Sequence, residues 1–198
     1  MQSLELNFSE MKARKKKTAA KKSRKERALD TRRRMLVAAY ELVCDAGYGP
    51  TTMAAIAERA GVAVQTLYFT FGSKPAVLSE VLHAAVVGFD KWSPMLGREV
   101  QRDHRAVARE VMPWFRAFEA EPDPHQALAI YVEGTAAISA RMGPLLANLG
   151  PQRGTEIEAT LAASEALREE ATEMIVAELA AKGAGLKKSL SRRQANDL

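Results

Sequence analysis

Residues 51–74 read TTMAAIAERAGVAVQTLYFTFGSK. Thr51 or Thr52 can cap a helix, because a hydroxyl accepts a bond from the orphan N–H groups of a first turn. Met53, Ile56, Ala57 and Ala60 then recur at the spacing of one helical face. Gly61 breaks that helix after about two turns. A second short helix is expected from Ala63 to Thr70, closed by Gly72-Ser73. Ser73 can cap a further helix from Lys74 to about Val87, with Pro75 tolerated in its first turn. Two short helices joined by a Gly-containing turn form a helix-turn-helix. In that motif the second helix lies in the major groove of DNA, with its N-terminal residues at base edges.

The second helix has two faces. Val62, Leu67 and Phe71 fall on the inward side, with Leu67 and Phe71 at i, i+4. Val64, Gln65 and Tyr68 fall on the outward side. Phe69 is evenly balanced between core and surface. The outward set suits DNA: Gln65 can bond bidentately to adenine, and Val64 can pack on a thymine methyl. Thr52, Thr66, Thr70, Tyr68 and Lys74 carry donors that can reach phosphates. The helix starts at Thr52 and Ala63 add backbone N–H groups and positive dipole ends.

Outward from this motif the pattern stays helical. Before it, Leu36, Ala39, Tyr40 and Val43 share a face on a helix expected from Ala28, stopped by Gly47 and Gly49-Pro50. After Ser93-Pro94, helices are expected over about 102–120, 124–141 and 155–182, separated by Pro- and Gly-containing breaks. Strand signals are absent. The expected class is all-α, with a three-helix DNA-binding domain followed by a larger helical domain. The expected organisation is a disordered basic arm over 1–27, the helix-turn-helix domain over 28–73, and the helical remainder over 74–198.

Charge is unevenly spread. The chain carries a formal net charge of +5, yet residues 12–34 alone hold 13 Lys and Arg against Glu26 and Asp30. The stretch over residues 1–27 buries too little large apolar surface to fold by itself, with helix able to begin near residue 27, and so basic a segment is drawn to any duplex by counterion release. The expected role of the arm is nonspecific attraction to DNA. A single cysteine, Cys44, excludes an intrachain disulfide framework and any multi-cysteine metal site. With no long apolar run and no signal-peptide pattern, a soluble, cytoplasmic protein is expected.

Residues 32–82 resemble the DNA-binding domain of the TetR family of transcriptional regulators. The resemblance rests on Ala39 to Val43 with Gly47 and Tyr48, on Thr51-Thr52 with Ile56-Ala57 and Ala60-Gly61-Val62, and on Thr66-Leu67-Tyr68, Phe71 and Ser73-Lys74. The chain departs from the family pattern at three positions. Ala63 stands where Ser is frequent, Thr70 where His is usual, and Pro75 where Glu is common. The resemblance implies a homodimer on a palindromic operator, commonly a repressor released by a small-molecule effector bound in the C-terminal domain. Trp92, Trp114, Phe118 and Tyr131 are the candidate pocket residues, each also suited to plain core packing.

In resembling sequences the dimer forms through the last two long helices. Here the expected 155–182 helix is broken by Gly183-Ala184-Gly185, and the sequence stops at Leu198. Two readings stay open: a weakened dimer, or a dimer through the 155–182 helix and its neighbours alone. Nothing favours catalysis. His83, His104 and His125 are scattered, and neither a Gly-rich phosphate loop nor a GxSxG occurs. No cofactor is implied. The alternatives to a sequence-specific regulator are a helical ligand-binding scaffold and a nonspecific nucleic-acid binder with impaired dimerisation.

Overall fold

The computed structural model describes residues 22–96, 103–150 and 155–183, and these are helical with no strand among them. α1 spans Arg24–Ala46. It opens on a capping box: the Ser23 hydroxyl accepts from the Glu26 amide, and the Glu26 carboxylate accepts from the Ser23 amide. The helix therefore starts four residues ahead of the expected Ala28, inside the stretch expected to be a disordered arm. The rest of that arm, residues 1–21, lies outside the described residues.

α2 spans Met53–Ala60, α3 spans Val64–Phe71 and α4 spans Lys74–Val87. Of the two candidate caps for α2, Thr52 accepts from the Ala55 amide at 3.1 Å. Thr51 is buried instead, and its hydroxyl donates to the Gly47 carbonyl at 2.8 Å. Gly61 takes the left-handed conformation, φ 65° and ψ 42°, which a glycine adopts without steric cost. That turn lets the Val62 amide reach back to the Ala57 carbonyl. Ser73 caps α4 through the Ala76 amide.

α4 is apolar nearly all round and buries Val77, Leu78, Val81, Leu82, Ala84, Ala85 and Val87. Such a helix must be surrounded. It shares one continuous core with Leu36, Ala39, Val43, Ile56 and Leu67 and with Trp92, Leu145, Leu149 and Ile157. This core holds residues from both sides of residue 73.

Further helices among the described residues are α5 (His104–Val111), α6 (Pro113–Ala120), α7 (Pro124–Ala147) and α8 (Glu158–Ala181). The single helix expected over 102–120 is two helices. Pro113 lacks an N–H and forces Met112 to an extended φ of −116° and ψ of 93°, so α5 ends and α6 begins there. The expected break at Gly143-Pro144 does not occur, and α7 runs through it. Tertiary anchors outweigh the missing bond: Leu145 and Leu149 are buried, and the Tyr40 hydroxyl donates to the Arg141 carbonyl at 3.0 Å.

A second core lies between α6, α7 and α8, around Phe115, Phe118, Ala127, Ile175 and Leu179. Trp114 closes it by lying flat on the backbone of α7 at Gly134, where a Cβ would overlap the indole. Gly134→Ala should lower stability by about 1–3 kcal/mol, the usual cost of overpacking; thermal melts followed by circular dichroism check this.

Charged groups close the same bundle from outside. The Glu119 carboxylate accepts from Arg109 Nε at 2.6 Å and from Arg105 Nε at 2.5 Å, while Arg105 also donates to Glu178 at 2.6 Å. The bond from Arg109, followed by that from Arg105, holds the Glu119 carboxyl below its ordinary 4.5. A depressed carboxylate contributes stability that is present above the unfolded-state value and lost as pH falls through the folded one. Stability should therefore decline as pH drops below about 4.5. Glu119→Gln should flatten that acid limb in melts taken across the same range.

Candidate nucleic-acid interface

α3 has eight residues, too few to persist alone in water. Leu67 is its one buried side chain and is fully sequestered. Val62, Val64 and Phe71 are half-buried and pack against the same core. Phe71 is not fully inside: the Arg32 guanidinium lies 4.8 Å from its ring centroid. Arg32 is in turn paired with Glu80 of α4, Nε to Oε2 at 2.9 Å.

The other side of α3 faces solvent. Gln65 and Thr66 are exposed, Tyr68 is 52% exposed and Phe69 is 94% exposed. The balance left open for Phe69 falls to the surface. With Thr52 and Ala63, both exposed at helix starts, these side chains form one outward set. Val64 differs from its expected place, since one side of it packs inward. Ala63 makes no side-chain cap, as expected where a hydroxyl is missing. Thr70 is half-buried, and its hydroxyl donates to the Thr66 carbonyl at 2.7 Å, so its proton serves the helix and not a phosphate.

Lys74 departs most from expectation. Its ammonium does not extend into solvent. It donates to the Tyr48 carbonyl at 3.1 Å and the Gly49 carbonyl at 3.4 Å, and lies 4.1 Å from the Tyr48 ring centroid. The Tyr48 hydroxyl donates to Glu156 at 2.9 Å, and the same carboxylate oxygen is 4.0 Å from Lys74 Nζ. Burial, helped by this bond to a carboxylate, pushes the Tyr48 phenol well above its ordinary value. A cleft of about 490 Å³ opens beside these groups, between Gly49-Pro50 and Asn148–Gly150.

The sequence reading also missed what three basic residues do. Arg32, Arg33 and Arg34 are tethers more than arm charges. Arg33 donates to the Trp92 carbonyl at 2.9 Å, and Arg34 to the Ala60 carbonyl at the end of α2 at 3.2 Å. Their position directly before the buried Met35-Leu36 was the available signal.

The four candidate pocket residues do not converge. Trp92 belongs to the first core. Trp114, Phe118 and Tyr131 belong to the second, where Trp114 and Tyr131 meet edge-on at 5.9 Å and Phe118 and Tyr131 lie 6.2 Å apart. Among the described residues no three His, Cys, Asp or Glu groups gather as a metal site requires, and no helix is long and apolar enough to cross a membrane.

Two short helices joined at a left-handed glycine, the first capped by Thr52 and the second pinned by one leucine and aromatic on its free side, define a helix-turn-helix DNA-binding domain. Residues 35–81 match the family model described as bacterial regulatory proteins, tetR family. By this match residues 35–81 are a DNA-binding domain of the tetR type, which supports a DNA-binding regulator of transcription. No curated protein and no solved structure matches it.

The two faces of α3 separate by mutation. Leu67→Ala should cost about 2–5 kcal/mol of stability. Phe69→Ala should stay within about 0.5 kcal/mol of the parent, with its effect confined to DNA binding. Denaturant titration paired with a DNA-binding isotherm distinguishes the two.

Proposed function

We propose that the chain is a repressor that binds a palindromic operator as a homodimer in the cytoplasm and is released by a small-molecule effector. The observation that carries the DNA-reading part is the exposed face of α3, with Gln65, Thr66, Tyr68 and Phe69 turned outward beside the capped start of α2. In this reading Gln65 contacts a base edge, Phe69 packs on thymine methyls or sugars, and Thr52, Thr66 and Tyr68 hold phosphates. Val64 and Ala63 contribute at their exposed edges and through the backbone N–H groups of the α3 start, Thr70 contributes at its exposed edge, and Lys74 contributes when its ammonium is free.

Dimerisation is supported by apolar side chains left outside. Leu128, Val132 and Leu146 on α7 are 45%, 57% and 48% exposed, and Val176 on α8 is 48% exposed. Both helices are 24 residues long, enough to bury a continuous face against a second copy. Two reading helices are needed because paired half-sites lie about one DNA turn apart. Effector release follows the family's usual logic, in which a ligand favours one spacing of the two heads. The packed rings of Trp114, Phe118 and Tyr131 are the apolar wall such a ligand would part, with Trp92 acting from the first core.

Selection from random duplex DNA at near-physiological salt tests this reading. An enriched palindrome is expected. Gln65→Ala should then weaken the selected site by about 1–3 kcal/mol and relax one position of it. Light scattering should give a dimer, and Val132→Glu with Val176→Glu should give a monomer that no longer selects. Weak, salt-sensitive, sequence-independent binding would instead support a nonspecific nucleic-acid binder.

A further inference from the structure

Glu156 lies in the connection between α7 and α8, remote in sequence from the reading domain, yet its carboxylate touches that domain. One oxygen accepts from the Tyr48 hydroxyl at 2.9 Å and stands 4.0 Å from the Lys74 ammonium. The phenol and the ammonium are donors of the kind that hold DNA phosphates. Lys74 is the first residue of α4, directly after the Ser73 that follows α3, and it bonds to the turn that precedes α2. It therefore sits between the end of α3 and the turn that leads into α2. The Lys74 side chain is only 22% exposed, whereas that of Glu156 is 56% exposed. The competitor faces water, and the cation behind it does not.

Further contacts fix this geometry. The Tyr48 amide donates to the Asn148 carbonyl at 3.0 Å, bringing the end of α7 against the turn before α2. Leu149 and Ile157, which flank the connection, are buried in the first core. The carboxylate is thus held next to the buried Ile157.

We propose that Glu156 is an intramolecular competitor for DNA: its carboxylate stands in for a phosphate at Tyr48 and Lys74, and the reading domain gains a backbone contact only when the α7–α8 connection lets go. This rests on the regulator reading above and adds a route for control. A change in the C-terminal helices that shifts the connection by a few ångströms changes the charge that Lys74 presents. A half-exposed pair of this kind is weak enough to exchange for a phosphate.

The test is a double-mutant cycle on the full-length chain. Binding isotherms over a range of salt are measured for the parent, Glu156→Ala, Lys74→Gln and the double variant. Both the selected duplex and a random-sequence duplex of equal length are used. Glu156→Ala should bind about fivefold more tightly near 0.1 M salt, with a salt slope steeper by about one. In the Lys74→Gln background the gain should vanish on both duplexes. Gln keeps a donor for the Tyr48 and Gly49 carbonyls; should that variant fail to fold, Lys74→Met is used. A gain of equal size without Lys74 would overturn the proposal, because it would be general relief of repulsion. Unchanged or weaker binding by Glu156→Ala would overturn it too, because the contact would then support the head. If the parent shows no preference between the duplexes, the regulator reading fails, and the random duplex still decides whether Glu156 competes at Lys74.

Discussion

Leu67 is the contact on which the DNA-reading geometry depends. α3 has eight residues, no side-chain cap at its start and a single buried side chain. Its hydrogen bonds alone cannot hold it helical. Seating Leu67 in the first core fixes both its position and its rotation. Once that rotation is set, Gln65, Tyr68 and Phe69 have no choice but to face out. An exposed phenylalanine costs hydration free energy and gives the free chain nothing in return. Its place on the outer face of a pinned helix is what a binding surface requires.

The core that seats Leu67 does not stop at the helix-turn-helix. α4 carries it on to Trp92, Leu145, Leu149 and Ile157. Polar contacts run along the same seam. Arg141 of α7 donates to the Ala85 and Val86 carbonyls at 2.6 and 3.2 Å, capping the end of α4, and Tyr40 of α1 donates back to the Arg141 carbonyl. At the other end of α4 stand Lys74, Tyr48 and Glu156. The central helix is thus gripped at both ends by the C-terminal helices. The C-terminal helices contact the reading domain directly, at α4 and at the turn before α2.

The legible parts of this structure were those set by local rules. Caps at Thr52 and Ser73 and the glycine at position 61 placed α2, α3 and α4 within a residue or so of where they lie. The inward Leu67 and outward Tyr68 followed from helical spacing. Other features depend on partners far along the chain. Tyr40 meets Arg141 and Tyr48 meets Glu156 across more than a hundred residues, and no local pattern announces either. Those contacts carried α7 through Pro144 and drew Lys74 away from solvent. Pro113 was a local signal, and its restriction on Met112 was enough to predict the break between α5 and α6. The charge of Arg32 to Arg34 was visible, but its use as internal tethers depended on carbonyls and a carboxylate supplied by other helices.

The most direct measurement is amide hydrogen exchange on the full-length chain, with and without a duplex that it binds. If the outer face of α3 reads DNA, the duplex should slow exchange at the start of α2, from Thr52 to Ala55, and along α3 from Val64 to Thr70. Amides of α6 and of the middle of α8 should be unchanged. Protection confined to the C-terminal helices, with α2 and α3 exchanging as in the free chain, would contradict the account.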